Sequence, residues 1–220
     1  MLTTRLLVAI ACSIIASSCA FAQLDVYKTF DDLINKAPKE YPNAKFKRWS
    51  GKENTTIVFK DEGHDDIEIV CADIWGFTYG GGLFRITKDS KYFARKGATQ
   101  VGTPFVVTHL TDVVLYEYGL NLLDAMKHDR DQSYLLGMCG AMSKDLNGPM
   151  AMVPCYPVKW TDDELLNLLK DNPELDELRS TFDTKKSEQT KGVPGSFSIQ
   201  WVRMILTDRE VTRKEKEGGQ

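Results

Sequence analysis

Asp73-Ile-Trp-Gly-Phe-Thr-Tyr79, then Gly80-Gly81-Gly82, then Leu83-Phe-Arg-Ile-Thr87 is the stretch that decides the fold. Two runs of β-branched and aromatic residues flank three glycines. A two-residue turn at Gly80-Gly81 needs positive φ, which glycine supplies without steric cost. That turn sets Tyr79 opposite Gly82, Phe77 opposite Phe84, Trp75 opposite Ile86 and Asp73 opposite Lys88. Side chains alternate along a strand, so Trp75, Phe77, Phe84 and Ile86 share one face. The segment reads as an antiparallel hairpin with an aromatic face, and Tyr79 at its tip is the aromatic expected to stay exposed.

The same texture extends both ways. Strands are predicted at 45–50, 55–60, 67–72, 73–79, 83–88, 92–95, 105–110 and 113–118, with turn-rich separators such as Gly51-Lys52-Glu53-Asn54 and Asp61-Glu62-Gly63. Short strands at this spacing point to hairpins and not to βαβ units. A short helix is expected at 119–129, then strands at 133–142 and 150–153 around the turn signal Asn147-Gly148. After that the pattern changes. Thr161-Asp162-Asp163-Glu164 has the form of a capping box ahead of Leu165, Leu166, Leu168 and Leu169. A second helix is expected at 174–182 and a polar loop at 185–195. Phe197, Trp201, Met204 and Ile205 fit a last helix, although Phe197, Ile199 and Trp201 also alternate as a strand would.

The fold class is therefore α+β, an antiparallel β-sheet of hairpins followed by C-terminal helices. The expected organisation is a lead-in with one helix at 23–43, a β-rich domain at 44–158, a helical part at 159–208 packing on the sheet, and a frayed charged tail at 209–220. In the lead-in, Thr29 is placed to cap a helix beginning at Phe30, with acids in its first turn.

Residues 1–22 read as an address. Arg5 precedes the apolar run 6–15, and Ala20-Phe21-Ala22 offers small residues for cleavage after Ala22. The apolar run is short beside the about 20 residues a span needs. An uncleaved anchor and a lipoprotein signal ending at Cys19 are the rival readings. The chain is thus expected to be exported to the periplasm or cell surface, touching the membrane only through that segment before cleavage. Of its 220 residues, 28 are basic and 31 acidic, a formal charge of −3. Cleavage would remove Arg5 and no acid, leaving 198 residues at −4. This balance argues against a nucleic-acid partner, and 42% hydrophobic content argues against wholesale disorder.

Cleavage also leaves Cys71, Cys139 and Cys155. Export permits disulfides, and folding about Asn147-Gly148 would bring Cys139 near Cys155, with Cys155 nearly opposite Gly140. A bridge Cys139–Cys155 and three buried thiols both remain open.

Chemistry-bearing residues are few. His64 lies in a polar turn and His128 at a helix end, where solvated and dipole-related roles suffice. His109 lies in an apolar strand. Cys71, His109 and Asp124 follow the order of a thiol-hydrolase triad, with His lowering the Cys pKa, yet no nucleophile motif surrounds Cys71. A buried, hydrogen-bonded histidine is the competing reading. Trp75 and Tyr79 could stack on sugar rings, against a core role for the same face. Neither metal-ligand spacing nor a phosphate loop occurs, so no metal and no cofactor is expected.

Asp73-Ile-Trp-Gly-Phe77, Leu83-Phe-Arg-Ile86 and Asn172-Pro-Glu-Leu175 together resemble a pattern in uncharacterised exported proteins of Gram-negative bacteria. The resemblance covers about a third of the chain in short pieces. It implies export and a β-rich domain with a helical C-terminal part, and transfers no activity. The expected function is a non-enzymatic binding or structural module of the cell envelope, whose partner is another envelope protein or a glycan. The alternatives are an envelope hydrolase using His109 with Cys71 or nearby carboxylates, and a glycan-binding module using exposed aromatics.

Overall fold

The computed structural model describes residues 23–51, 54–61, 64–88, 102–111, 113–128, 140–153, 163–170, 175–180 and 199–218. The chain is α+β, with antiparallel strands and helices that are mostly C-terminal. Its described residues fall into two compact units, one within Met1–Val107 and Tyr118–Leu135, the other within Thr108–Glu117 and Leu136–Gln220.

The first unit opens with β1 (Leu24–Tyr27), α1 (Phe30–Ile34) and β2 (Lys39–Tyr41). Thr29 caps α1 as its sequence suggests. Its hydroxyl accepts from Asp32 N at 3.2 Å, while Thr29 N donates to Asp32 Oδ2 at 2.8 Å. The lead-in thus holds two strands besides the helix. They were illegible because Leu24–Tyr27 and Lys39–Tyr41 are short, and only pairing with a neighbour makes such segments strands.

A three-stranded sheet follows, β3 (Ala44–Gly51), β4 (Thr55–Asp61) and β5 (Ile67–Val70), in that order. The chain then makes a single 3₁₀ turn at Cys71–Asp73 and enters the hairpin β6 (Gly76–Tyr79) and β7 (Gly82–Thr87). Phe77 pairs with Phe84 and Tyr79 with Gly82, as the glycine turn requires. Gly80 and Gly81 have φ of 56° and 79°. Ile86 N donates to Trp75 O at 2.9 Å, extending the same register. Asp73 departs from expectation: it belongs to the 3₁₀ turn and not to the strand. Beside the hairpin lies β8 (Thr103–Leu110), whose first residues pair with β7, and the strand order in this unit is β8-β7-β6-β1-β2.

The two sheets of the first unit meet through aromatic rings. Phe77 stacks on Phe84 with centroids 4.6 Å apart and planes 6° from parallel. Phe59 of β4 sits edge-on to Phe77 at 6.2 Å, Tyr79 at 5.0 Å and Phe46 at 5.9 Å. Tyr79 is consequently only 7% exposed, and Phe46 N donates to its hydroxyl at 3.0 Å. The expected exposed tip is covered, because β3 and β4 supply a second layer that the hairpin's own sequence does not announce. The unit is completed by α2 (Gly119–Lys127), which packs on β3; Lys127 Nζ donates to Lys47 O at 2.6 Å.

In the second unit the end of β8, then β9 (Val114–Tyr118), β10 (Gly140–Ser143) and β11 (Ala151–Val153), form consecutive strands. Gly140 pairs with Val153, not with Cys155 as a turn centred on Asn147-Gly148 would require. The reason lies at Asp145, whose Oδ1 accepts from Asn147 N at 2.8 Å and Gly148 N at 2.6 Å, gathering the chain into a longer connection. Two helices follow, α3 (Asp163–Lys170) and α4 (Ile199–Gly218), with a short helical stretch at 176–180 between them. Their buried leucines and Val202, Ile205 and Leu206 close over Val113, Leu115, Met142, Ala151 and Val153. The last segment is a helix and not a strand. It runs to Gly218, so 209–218 are helical and not frayed, supported by a Glu210–Lys214 pair at 2.7 Å. Met204, expected on the buried stripe, is 53% exposed.

The expected strand at 92–95, the capping residue Thr161, and residues 1–22 lie outside the described residues. No helix among the described residues is long and apolar enough to cross a membrane.

Candidate functional site

The residues singled out in the sequence occupy separate environments. Cys71 opens the 3₁₀ turn after β5 and has no exposed surface; burial pushes its thiol up to about 12. A thiol that buried is a free, inert hydrophobe and not an activated nucleophile. Asp124 is exposed on α2, where its carboxylate accepts from Trp49 Nε1 at 3.2 Å. Trp75 is half-buried with its ring 5.4 Å from that of Phe30, and its buried Nε1 has no hydrogen-bond partner among the described residues. With Tyr79 closed beneath Phe59, the two aromatics nominated for sugar stacking form no open platform. Cys139 and Cys155 lie outside the described residues, and no disulfide occurs among those described. Nor does any group of three or more His, Cys, Asp or Glu side chains placed to hold a metal ion.

His109 is different. It lies near the end of β8, is 8% exposed, and its Nε2 is 2.8 Å from Thr111 Oγ1. Thr111 in turn lines a groove of about 520 Å³ in the second unit. The other wall is the last part of α4, which contributes Ile205, Asp208, Arg209, Arg213 and Lys216, and Glu177 faces in from the stretch 176–180. The helix buries Val202, Ile205 and Leu206, and this fixes which of its following residues look into the groove. Glu210 also lines it. The bridging Lys214 ammonium holds this carboxyl below its ordinary value; burial opposes the shift, and His109 and Arg213 add to it.

A second charged arrangement lies deeper in the same unit. Glu117 of β9 is fully buried, and Arg203 of α4 donates to its Oε1 at 3.0 Å. Oε2 has no partner among the described residues. Burial raises the Glu117 carboxyl above its ordinary 4.5, and Arg203 and the Thr108 hydroxyl pull it back. This pair fastens α4 to β9, with the Glu117 carboxyl fully buried and the Arg203 side chain 32% exposed.

Sequence reasoning missed the groove because its basic residues fall in the segment taken for a frayed tail. The available signal was the spacing Arg209, Arg213, Lys216, one face of a helix by i, i+4, i+7. No protein-family model, curated protein or solved structure matches the chain.

Proposed function

We propose that the chain is an exported, non-enzymatic binding module of the bacterial cell envelope. The leader-like order of residues 1–22 supports export. The observation that most supports the non-enzymatic part is Cys71, whose thiol is closed off and pushed up to about 12. What the described surface then offers is the charged groove beside α4, which suits reversible contact. The test is to produce the full chain in a Gram-negative host and fractionate the cells. A periplasmic or surface species whose mass begins at Gln23 supports the reading; a cytoplasmic species keeping residues 1–22 overturns it. Turnover of ester, amide or phosphoester substrates that is lost in Cys71→Ala or His109→Ala overturns the non-enzymatic part.

One observation favours a hydrolase as the second reading. His109 Nε2 and the Thr111 hydroxyl are within hydrogen-bond reach at the groove, with the Glu210 carboxylate close enough to feel the imidazole. In that reading His109 would take the Thr111 proton as general base. Thr111→Ala would then abolish turnover, whereas it leaves a pure binding site with a modest change in affinity.

A further inference from the structure

We propose that Asn147 is a site of spontaneous deamidation and that the Asp145 carboxylate holds its rate down. Neither the groove nor a ligand enters into it. The one reactant besides the chain is water.

The reaction joins two neighbours in sequence. Gly148 N gives up its proton and attacks Asn147 Cγ. The Cγ–Nδ2 bond breaks, and Nδ2 leaves as ammonia with the proton that Gly148 lost. A cyclic succinimide remains. Water then opens the ring at one of its two carbonyls. Attack at Cγ yields aspartate; attack at the main-chain carbonyl yields isoaspartate, whose backbone runs through the side chain. Nothing is oxidised or reduced, and the loss of ammonia makes the change one-way.

The position is open to this chemistry. Asn147 is exposed in the connection between β10 and β11, where water reaches it and no strand or helix holds its backbone. The residue after it is glycine, which has no Cβ to shield the attacking nitrogen.

The fold opposes the attack at one atom. Asp145 Oδ1 accepts from Gly148 N at 2.6 Å and from Asn147 N at 2.8 Å. The nucleophile is thus already committed as a donor, and this charge-assisted bond must break before the nitrogen can react. The carboxylate also disfavours an anionic nitrogen beside it, as one negative charge does another. The amides on both sides of the Asn147 Cα are held, and Leu146 is anchored at 4% exposure. Side chain and nitrogen therefore do not swing together freely. The base of the turn is closed as well. Ser143 Oγ donates to Asp145 O and lies 2.8 Å from the hydroxyl of buried Tyr116. Isoaspartate would lengthen the main chain by one carbon just before Gly148 and set a second carboxylate beside Asp145. Modification then loosens the tip of the turn while its base stays closed.

Peptide mapping by mass spectrometry tests the assignment, on the full chain kept folded and on the same chain in denaturant, both at mildly alkaline pH. The rate is read at Asn147 as the gain of one mass unit, with isoaspartate resolved by chromatography. Deamidation is expected to be slower in the folded chain than in denaturant. Asp145→Ala raises the folded rate ~10-fold, the worth of one charge-assisted hydrogen bond, and leaves the denatured rate unchanged. Asp145→Asn keeps a neutral acceptor of the same shape and falls between parent and Asp145→Ala. It carries the test if circular dichroism shows Asp145→Ala to be unfolded. Gly148→Ala slows the reaction in denaturant, where only shielding by the added Cβ acts. Equal rates in the folded and denatured parent overturn the proposal. So does a folded rate that the Asp145 variants leave unchanged or lower, which would make the carboxylate a bystander or a base. Equal acceleration in both states, or no effect of Gly148→Ala in denaturant, overturns it too.

Discussion

At the scale of single residues, burial decides what chemistry a side chain keeps. Cys71 carries the only described thiol, and burial takes it out of reaction. With its titration at about 12, the thiolate is on the order of one in ten thousand at pH 8. Alkylation of Cys71 by iodoacetamide at that pH is therefore expected to follow unfolding, with the labelling rate rising steeply at the denaturant midpoint. Rapid labelling of this site in the native protein would contradict its placement. Glu117 presents the opposite case, a buried group that keeps a charged partner. Its folded-state value is raised above 4.5, chiefly by burial, so the protonated form is the one the fold favours. That contribution is full below pH 4.5 and is lost as the pH rises through the raised value. Glu117→Gln holds a neutral side chain of the same shape. It is expected to match the parent in acid and to exceed it in stability at pH 7, read as urea midpoints across the range. A variant weaker at pH 7 would mean that the Arg203 bond outweighs the burial.

At the scale of elements, local signals were legible wherever a local interaction sets the geometry. Thr29 and Asp32 cap α1 within four residues of chain, and Gly80-Gly81 fix the β6–β7 register by themselves. Thr29→Ala removes the hydroxyl that serves Asp32 N and is expected to cost ~1 kcal/mol, measured as a fall in denaturation midpoint. Signals failed where the deciding partner is distant in sequence. Tyr79 was expected in the open, and Phe46 and Phe59, more than 15 residues upstream, cover it. The β10–β11 register was misplaced because Asp145 and not Asn147 organises the turn. Met204 fits the apolar spacing of its helix as well as Ile205 does, and only the packed sheet selects Ile205. Phe59 is the ring that joins the two sheets of the first unit. Phe59→Ala is expected to destabilise by about 3–5 kcal/mol, with a matching shift in thermal unfolding, since it opens a cavity against three other aromatics. The groove residues were unread for a related reason: a charged helix end reveals its inward face only once Val202, Ile205 and Leu206 are seen to be buried.

At the scale of the whole molecule, the antiparallel class and the C-terminal helices were visible in composition and turn spacing, but the division into two units was not. No shift in composition marks Val107 or Tyr118, because the boundaries fall inside β8 and β9 and not in linkers. The first unit is therefore assembled from two separate stretches of chain. Its last element, α2, is in place only when Gly119 lies against Phe84, so close that a Cβ on that glycine would stand 2.8 Å from the ring. A fragment ending at Val107 lacks this helix and leaves the Phe84 edge bare. It is expected to melt without a cooperative transition, whereas a chain extending past Lys127 restores one. The order of synthesis then matters. A ribosome or a secretion channel delivers residues from the N-terminus onward, so the early strands emerge well before the helix that completes them. The nascent protein must carry an unfinished aromatic face through that interval, and folding in step with delivery is barred by the path of the chain itself.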